Sequence, residues 1–442
     1  MKKNNITRKM LVLAIITIFL TLAFIPAIDA SSKSDYPLPP PMNVNMNLEE
    51  SIFRRKSVRN FTEDPVTDEE LSTILWAAYG LRSDETHTVP GVNNLHGAII
   101  YVLKEDAAYT YDPDNHSLVF YKDGDWRDIV GYQYYAPIQF ALAYDTDIHD
   151  PCSGGEEIGQ IAQNIAFIVN AIDMGTLCTA QIPPATDPMG LPDNQVGLSV
   201  MPIGHPDYDP YNFKYRPMWL SLLPRIKKSD MELSTALEQR EESNTFNGEL
   251  SRQEISQILW ATCGYSYYID KSNDPIYSKG RHRTIPSGKG YYPVHFYAVT
   301  QKGIFRYQPN LFTCLNVVYQ SEVDFFGLPI FTFLKKEIRG DHREEIAQAC
   351  SNPEIASAPL SIISILDRER TRPPGLPDLS DDIILPTWYH DAGAASQNVL
   401  LEATAWGLSS NVFRIEDEDS ICSLMSLDNE LNIPIYVIAI GK

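Results

Sequence analysis

Positive charge is scarce in this sequence. Its 442 residues include 36 Lys and Arg against 57 Asp and Glu, giving a formal net charge of −21. Nucleic acid is bound through broad cationic surfaces, so this balance argues against it as a partner. Any site for an anion must therefore be a local cluster of basic residues.

The sequence also lacks the short motifs of several enzyme classes. It contains no HExxH, GxSxG or Walker A motif, which leaves hydrolases and NTPases without support, and no GxGxxG fingerprint of a Rossmann dinucleotide site. The cysteines show neither CxxC nor zinc-like spacing, so we expect no metal site and can infer no disulfide pairing. They are Cys152, Cys178, Cys263, Cys314, Cys350 and Cys422.

The N-terminus is typical of a targeting segment. In residues 1–30 a basic start precedes an apolar run from Met10 to about Ile28, with small residues around Ala30. This pattern leaves open a cleaved signal peptide and a retained transmembrane anchor, and either predicts an exported or membrane-anchored protein outside the cytoplasm. The twin-Arg export signature is absent. Residues 31–45, with the Pro-rich YPLPPPMN, predict an extended linker.

The rest of the chain contains an internal repeat. ILWAAYG returns as ILWATCG, each on a helix that begins with a capping box. A Thr-aliphatic-Pro loop, an Ala-Pro before a β-rich run, and a helix with Gly-x-x-x-Gln-Asn follow in the same order in both copies. The paired landmarks are 67–80 and 251–264, 87–103 and 282–299, 136–145 and 358–367, and 159–175 and 393–407.

Capped helices that alternate with β-branched strands predict an α+β fold. We therefore expect two tandem domains, residues 46–225 and 226–442, each with a mixed sheet flanked by helices.

The ordered set of RRKSVRNF, the LWAA-Gly helix, R-T-x-P-S-G-x-x-Y-P and Gly-x-x-x-Gln-Asn resembles the nitroreductase family of FMN enzymes. Within that family it is most similar to the dehydrogenases that oxidise azolines to thiazoles and oxazoles in modified peptides. Such enzymes are typically dimers with two flavins at the subunit interface. The resemblance implies that this duplicated chain is a monomer with an internal pseudo-dimer.

The resemblance also implies cofactor-binding residues. The family's Arg-x-Ser-x-Arg/Lys phosphate segment matches RRKSVR, and a second basic pair follows the closing strand of the first copy. The Pro-Ser loop of the second copy matches the loop that reaches the flavin from the partner subunit. The implied FMN ligands are Arg55, Lys56, Ser57, Arg59, Lys214, Arg216, Pro286, Ser287 and Gly288.

The two copies have lost different parts. In the second copy QREESNTF places Arg240, Glu242 and Asn244 where the first has Arg55, Ser57 and Arg59, and the anionic Glu would repel a phosphate. In the first copy the loop has Gly91 instead of the serine. If clamp and loop pair across the two copies, all intact parts fall into one site. We therefore expect one FMN per chain.

Two features allow more than one interpretation. Gln163-Asn164 and Gln397-Asn398 are either cofactor residues or a polar pair that binds backbone at the dimer core. Backbone amides of residues 180–182 are weak candidates for the family's hydrogen bond to the flavin ring.

For function, the resemblance implies an FMN-dependent oxidoreductase. Hydride passes through flavin N5, with NAD(P)H as a donor and a small molecule or peptide as substrate. The alternative is a non-catalytic flavin- or ligand-binding protein on a degenerate scaffold. The residues that carry catalysis are unknown from the sequence.

Overall fold

The computed structural model describes residues 35–130, 134–180, 187–211, 220–269, 280–309, 330–372 and 379–442. It has a short unit that ends at Tyr36 and a compact unit, Pro37–Lys442, that contains both copies of the repeat. A two-residue strand, β1, spans Tyr36–Pro37.

The first half combines helices with an antiparallel sheet. Its helices are α1 (Leu48–Arg54), α2 (Asp68–Tyr79), α3 (Arg127–Val130) and α4 (Pro151–Ala171). Its strands are β2 (Ala98–Leu103), β3 (Ala107–Asp112), β4 (Ser117–Asp123), β5 (Ile138–Asp145), β6 (Gly175–Thr176), β7 (Thr179–Ala180) and β8 (Gln195–Gly204). The sheet order is β4-β3-β2-β5-β8-β6, and β7 also pairs with β8.

The second half repeats this plan. Its helices are α5 (Leu233–Gln239), α6 (Arg252–Cys263), α7 (Arg343–Ala349), α8 (Asp381–Ala405) and α9 (Glu418–Met425). Its strands are β9 (Leu220–Ser221), β10 (Tyr265–Ile269), β11 (Gly280–Arg283), β12 (Val294–Thr300), β13 (Gly303–Gln308), β14 (Ile330–Arg339), β15 (Leu360–Asp367), β16 (Ser409–Arg414) and β17 (Asn432–Gly441). The main sheet has the order β9-β14-β13-β12-β15-β17-β16, and β10 pairs with β11 separately.

The two sheets are equivalent strand by strand, since β4-β3-β2-β5-β8-β6 matches β14-β13-β12-β15-β17-β16. The predicted α+β fold, used twice within one chain as a pseudo-dimer, is confirmed. β9 pairs in parallel with the edge strand β14, so Leu220–Ser221 lie in the sheet of the second half.

Both predicted capping boxes are present. In α2 the Thr67 side chain accepts the Glu70 N–H at 3.2 Å, and the Glu70 carboxylate accepts the Thr67 N–H at 2.8 Å. In α6 Ser251 and Glu254 form the same pair at 3.2 and 2.6 Å. These bonds satisfy amides that a helix start leaves without partners, which is why both helices begin at the predicted residues.

The long helices α4 and α8 cross at the centre of the molecule, and glycines make the crossing close. A Cβ on Gly155 would collide with the carbonyl group of Pro386, and one on Gly159 would collide with that of His390. From the other side, a Cβ on Gly393 would collide with the Glu156 carbonyl. The glycine of each Gly-x-x-x-Gln-Asn motif is therefore needed for the contact between the two halves.

The predicted membrane association, including a transmembrane helix, is wrong as far as the described residues reach. None of the helices in the described ranges is long and apolar enough to cross a membrane. The two longest, α4 and α8, carry buried polar and acidic residues because they pack against each other inside the protein. Residues 1–30, on which the prediction depended, lie outside the described residues.

Candidate functional site

The basic segment that follows α1 is buried. Arg55 and Lys56 are 4% and 1% exposed. The Nη2 of Arg55 donates to the backbone carbonyl of Arg283 at 3.3 Å. Arg283 ends β11 in the second half, so the segment of one half directly contacts the loop region of the other.

The other cations of this segment are held within the first half. The Lys56 N–H donates to Asn170 Oδ1 at 2.7 Å, and its Nζ donates to the Pro210 carbonyl at 3.4 Å. The Nη1 of Arg59 donates to the Ser57 carbonyl at 3.4 Å. The segment is therefore an ordered turn, and its role in binding a phosphate stays a prediction.

Some predicted site residues lie outside the described residues. These are Lys214 and Arg216 of the second basic pair, and residues 181–182 of the backbone-amide candidates. Their assignments also stay predictions.

The Pro286–Gly288 loop is fastened from both halves. The carbonyl of Thr284, just before it, accepts the Gln163 Nε2 of the first half at 2.9 Å. Within the loop Ser287 Oγ accepts the Tyr292 N–H at 2.9 Å. The structure thus brings the predicted phosphate segment and the predicted loop together across the halves. We call this place, formed by Arg55–Arg59 and Pro286–Gly288, the Arg55 site.

Sequence reasoning missed a half-buried thiol and a buried imidazole at the Arg55 site. The Sγ of Cys178 lies 3.1 Å from Nε2 of His390 in the other half and 2.9 Å from Ser199 Oγ. Burial raises the pKa of Cys178 to about 12 and lowers the pKa of His390 to about 4. Both groups are therefore neutral at neutral pH. The thiol can donate a proton, and the imidazole can accept one.

A buried carboxyl was missed as well. Asp391, next to His390 on α8, is 2% exposed and lies near Ser287 and Arg283. Burial raises the pKa of Asp391 well above its usual value, and the nearby Ser287 and Arg283 oppose this only in part. Burial therefore favours the protonated form of this carboxyl.

The equivalent place in the other half, the Arg240 site, is formed by Arg240–Asn244 and Pro90–Val92. Arg240 is 2% exposed, and its Nη2 donates to the His87 carbonyl at 3.2 Å, as Arg55 does to Arg283. Its Nη1, however, donates to Glu242 Oε1 at 2.9 Å. The Glu242 carboxylate, which is equivalent in sequence to Ser57 of the first half, therefore pairs with Arg240.

The alignment of the two segments is confirmed by backbone contacts. The Val58 N–H donates to the Thr176 carbonyl at 2.8 Å in one half, and the Ser243 N–H donates to the Ser410 carbonyl at 3.1 Å in the other. Each bond joins the residue after the Ser57 or Glu242 position to the equivalent short strand. Glu242 therefore occupies the place of Ser57 in space as well as in sequence.

A second carboxylate, Glu157 of α4, lies near the Arg240 site, where its charge acts on His87. Glu157 accepts hydrogen bonds from the Tyr79 hydroxyl at 3.2 Å and the Gly97 N–H at 2.9 Å. It also hydrogen-bonds to Nδ1 of His96 at 3.2 Å and Nε2 of His149 at 3.0 Å. Burial alone would raise the pKa of Glu157, but the bonds from the two histidines hold it at about 2.

The Gln-Asn pairs have a structural role. The Nε2 of Gln163 donates to Asn398 Oδ1 at 2.8 Å, and that of Gln397 donates to Asn164 Oδ1 at 2.9 Å. Gln163 and Gln397 also hold the carbonyls of Thr284 and Thr88 in the opposite halves. Of the two interpretations left open by the sequence, the contacts support the polar pair at the core of the pseudo-dimer.

Comparisons with known proteins agree with this architecture. The model of the nitroreductase family matches residues 52–152 and 247–442. The chain belongs to the nitroreductase family. The match covers residues in both halves, as a tandem duplication requires.

The chain is also similar to two individual proteins. A nitroreductase homologue of Methanocaldococcus jannaschii is 29% identical over an alignment of 157 residues, and the match covers 30% of this chain and 77% of the relative. The crystal structure of a nitroreductase homologue from Anabaena variabilis matches with a TM-score of 0.60 at 13% identity. That match covers 94% of this chain and 96% of the other, so the likeness in fold extends over both halves.

Proposed function

We propose that this nitroreductase-family protein is an FMN-dependent oxidoreductase with one flavin site, the Arg55 site. The observation that carries the proposal is the bond from Arg55 of the first half to the Arg283 carbonyl of the second, beside the Pro-Ser loop. The same arrangement at Arg240 is neutralised by Glu242. The phosphate segment and the Pro-Ser loop that match the family therefore meet at the Arg55 site, and the altered segment and loop meet at the Arg240 site.

The residues of the Arg55 site fit the cofactor. A phosphate dianion needs charged donors, which Arg55, Lys56 and Arg59 provide beside the Ser57 hydroxyl. We propose Lys214 and Arg216 as further phosphate ligands, and Pro286–Gly288 as the contact to the flavin ring. When bound, FMN would supply hydride transfer at N5.

The protein's own contribution is a dry site with proton-carrying groups. Arg55, Asp391 and His390 are all less than a tenth exposed, so bulk water is largely excluded from their surroundings. In that setting the Cys178 thiol and the His390 imidazole are neutral, and burial favours the protonated form of Asp391. The three groups can donate or accept a proton at Sγ, Nε2 and the carboxyl oxygens. These groups are the candidates for proton transfer that accompanies redox chemistry on a substrate.

Flavin content tests the single-site proposal. The full chain, purified and denatured, should release about one FMN per chain. The bound flavin should bleach with NADH or dithionite and recover with a quinone or a nitroarene. Two flavins per chain would overturn the single site, and a protein that never binds flavin would overturn the proposal altogether.

The substrate class is open to a direct test. The resemblance to azoline-oxidising dehydrogenases leads us to propose a peptide azoline, or a small molecule, as the compound oxidised or reduced. Incubation with a thiazoline peptide should give a product two hydrogens lighter by mass spectrometry. We also propose that the protein is exported from the cytoplasm. Because NAD(P)H is scarce outside the cytoplasm, a substrate that itself donates hydride would suit that location.

A second candidate function is flavin binding without catalysis. It is favoured by the Arg240 site, where one copy of the scaffold has already replaced its phosphate segment with an internal ion pair. Flavin that binds in a one-to-one ratio but is neither reduced by any donor nor reoxidised by any acceptor would support this reading over the enzyme.

A further inference from the structure

Both central helices carry an acid at the same place in the repeat. Glu157 stands six positions before Gln163 on α4, and Asp391 stands six positions before Gln397 on α8. Because the two glutamines make equivalent contacts across the pseudo-dimer, the two acids occupy equivalent positions on crossing helices. They face the Arg240 site and the Arg55 site respectively.

The two acids differ in how fully they are bonded. Glu157 uses both oxygens, since Oε1 bonds with Tyr79 and His96 and Oε2 with Gly97 and His149. Asp391 is equally buried, but its Oδ2 has no hydrogen-bond partner within the described ranges. Buried polar atoms are almost always paired, so an unpaired one indicates a missing partner.

The surroundings of Asp391 indicate what kind of partner is missing. Its interactions run to Ser287 and Arg283 of the loop region, and its charge would also act on Cys178 and Tyr292. The thiol of Cys178 is in turn influenced by Arg55. Asp391 is therefore near the Pro-Ser loop, and Cys178, on which its charge would act, is near Arg55 of the phosphate segment. The proposed function puts the ligand at the same site.

We propose that Asp391 is a ligand-facing residue of the Arg55 site that hydrogen-bonds the polar edge of the bound flavin ring. The inference rests on the proposed function. A neutral carboxyl offers one donor and one acceptor, and the flavin pyrimidine edge presents N–H and C=O groups side by side. Oδ2 of Asp391, which is buried and has no hydrogen-bond partner within the described ranges, is the atom that meets this edge.

The test compares FMN affinity in full-length variants by quenching of flavin fluorescence. Asp391→Ala should weaken binding about tenfold, the effect of one buried hydrogen bond. Asp391→Asn should stay within about threefold of wild type, because an amide also offers a donor and an acceptor. Glu157→Gln is the matched control and should leave the affinity unchanged.

Two results of this titration would overturn the inference: wild-type affinity in Asp391→Ala, or an equal loss in Asp391→Asn and Asp391→Ala. If the wild type binds FMN and the Asp391 variants bind it equally well, only this inference fails. If the wild type binds no FMN, the proposed function fails with it.

An infrared measurement keeps the test independent of how well Asp391→Ala folds. The difference spectrum between FMN-loaded and FMN-free wild type should contain a shifted protonated-carboxyl C=O band, and that band should be absent from Asp391→Asn. If the carboxyl band does not move when FMN binds, the unpaired oxygen of Asp391 is hydrogen-bonded to water and not to the flavin, and the inference is wrong.

Discussion

The Arg55 site and the Arg240 site share one architecture and differ in their polar content. In each, an arginine after a short helix donates to a backbone carbonyl of the opposite half, that of Arg283 or His87. Around Arg240 the protein supplies the anion itself, as Glu242. The comparison teaches that two copies of a site can keep the same arginine contact across the halves while one copy gains an internal ion pair.

The central acids repeat this contrast. Glu157 is ionised and held by four partners, whereas burial favours the protonated form of Asp391, whose Oδ2 is unpaired within the described residues. A buried carboxylate is stable only when donors compensate for its lost hydration. His96 and His149 provide that compensation for Glu157.

The largest expected effect comes from reversing the charge of the Arg55 site. Arg55→Glu should weaken FMN binding by at least about 100-fold, because charge-assisted bonds to phosphate are lost and repulsion replaces them. Fluorescence titration of the purified variant measures this. Glu242→Gln is the control at the equivalent site and should bind FMN like wild type. Equal losses in the two variants would show that the sites are not functionally distinct.

The next effect concerns stability and pH. The folded-state pKa of Glu157, about 2, lies below its ordinary value of 4.5. Its contribution, about 3 kcal/mol, is therefore present above about pH 4.5 and is lost as the pH falls towards 2. Glu157→Gln should lower the free energy of unfolding, measured with urea, by most of this amount at pH 7 and by much less at pH 3.

The matched change in the other site is Asp391→Asn. Because burial favours the protonated form of Asp391, the free energy of unfolding at pH 7 should change by less than about 1 kcal/mol. A cost for Glu157→Gln that does not vary with pH, or an equal cost for both variants, would contradict the assigned charge states.

A smaller effect should be the same in both halves. Gln163→Ala and Gln397→Ala each remove bonds to an asparagine and to a threonine carbonyl of the opposite half. Each should lower the free energy of unfolding by about 1–3 kcal/mol, and the two costs should be similar. Urea unfolding of the two variants is the measurement. A cost confined to one of them would show that the pseudo-dimer core is not symmetric.

The smallest effect is expected from a double variant that restores the phosphate segment of the Arg240 site. Glu242→Ser combined with Asn244→Arg rebuilds the phosphate segment but leaves Glu157 and the Gly91 loop in place. The flavin content should stay at about one per chain. A second bound FMN would show that the segment alone decides occupancy, and that the loop and central acid matter little.

Much of this architecture was readable from the sequence because it depends on local order. The duplication, the capping boxes and the exchange of Ser57 for Glu242 are patterns of spacing and charge within a few residues of one another. The acids were readable in principle too, since Glu157 and Asp391 stand at the same distance from their glutamines. Their meaning was not, because helix position does not reveal which partners a side chain will meet.

The N-terminal interpretation shows the opposite case. The apolar run of residues 10–28 suggested a membrane-spanning helix from composition alone. None of the helices among the described residues, which begin at residue 35, is long and apolar enough to cross a membrane.

The sequence alone was enough to establish two copies of one α+β unit and to locate the unequal cationic segments, since periodicity, caps and charge are properties of neighbouring residues. Folding was needed to pair Arg55 with the loop of the opposite half, to join Gln163 to Asn398, 235 positions away, and to surround Glu157 with histidines while leaving Asp391 an unpaired oxygen among the described residues. Such contacts join residues far apart in the chain, and they form only when α4 and α8 cross and bring the two halves together.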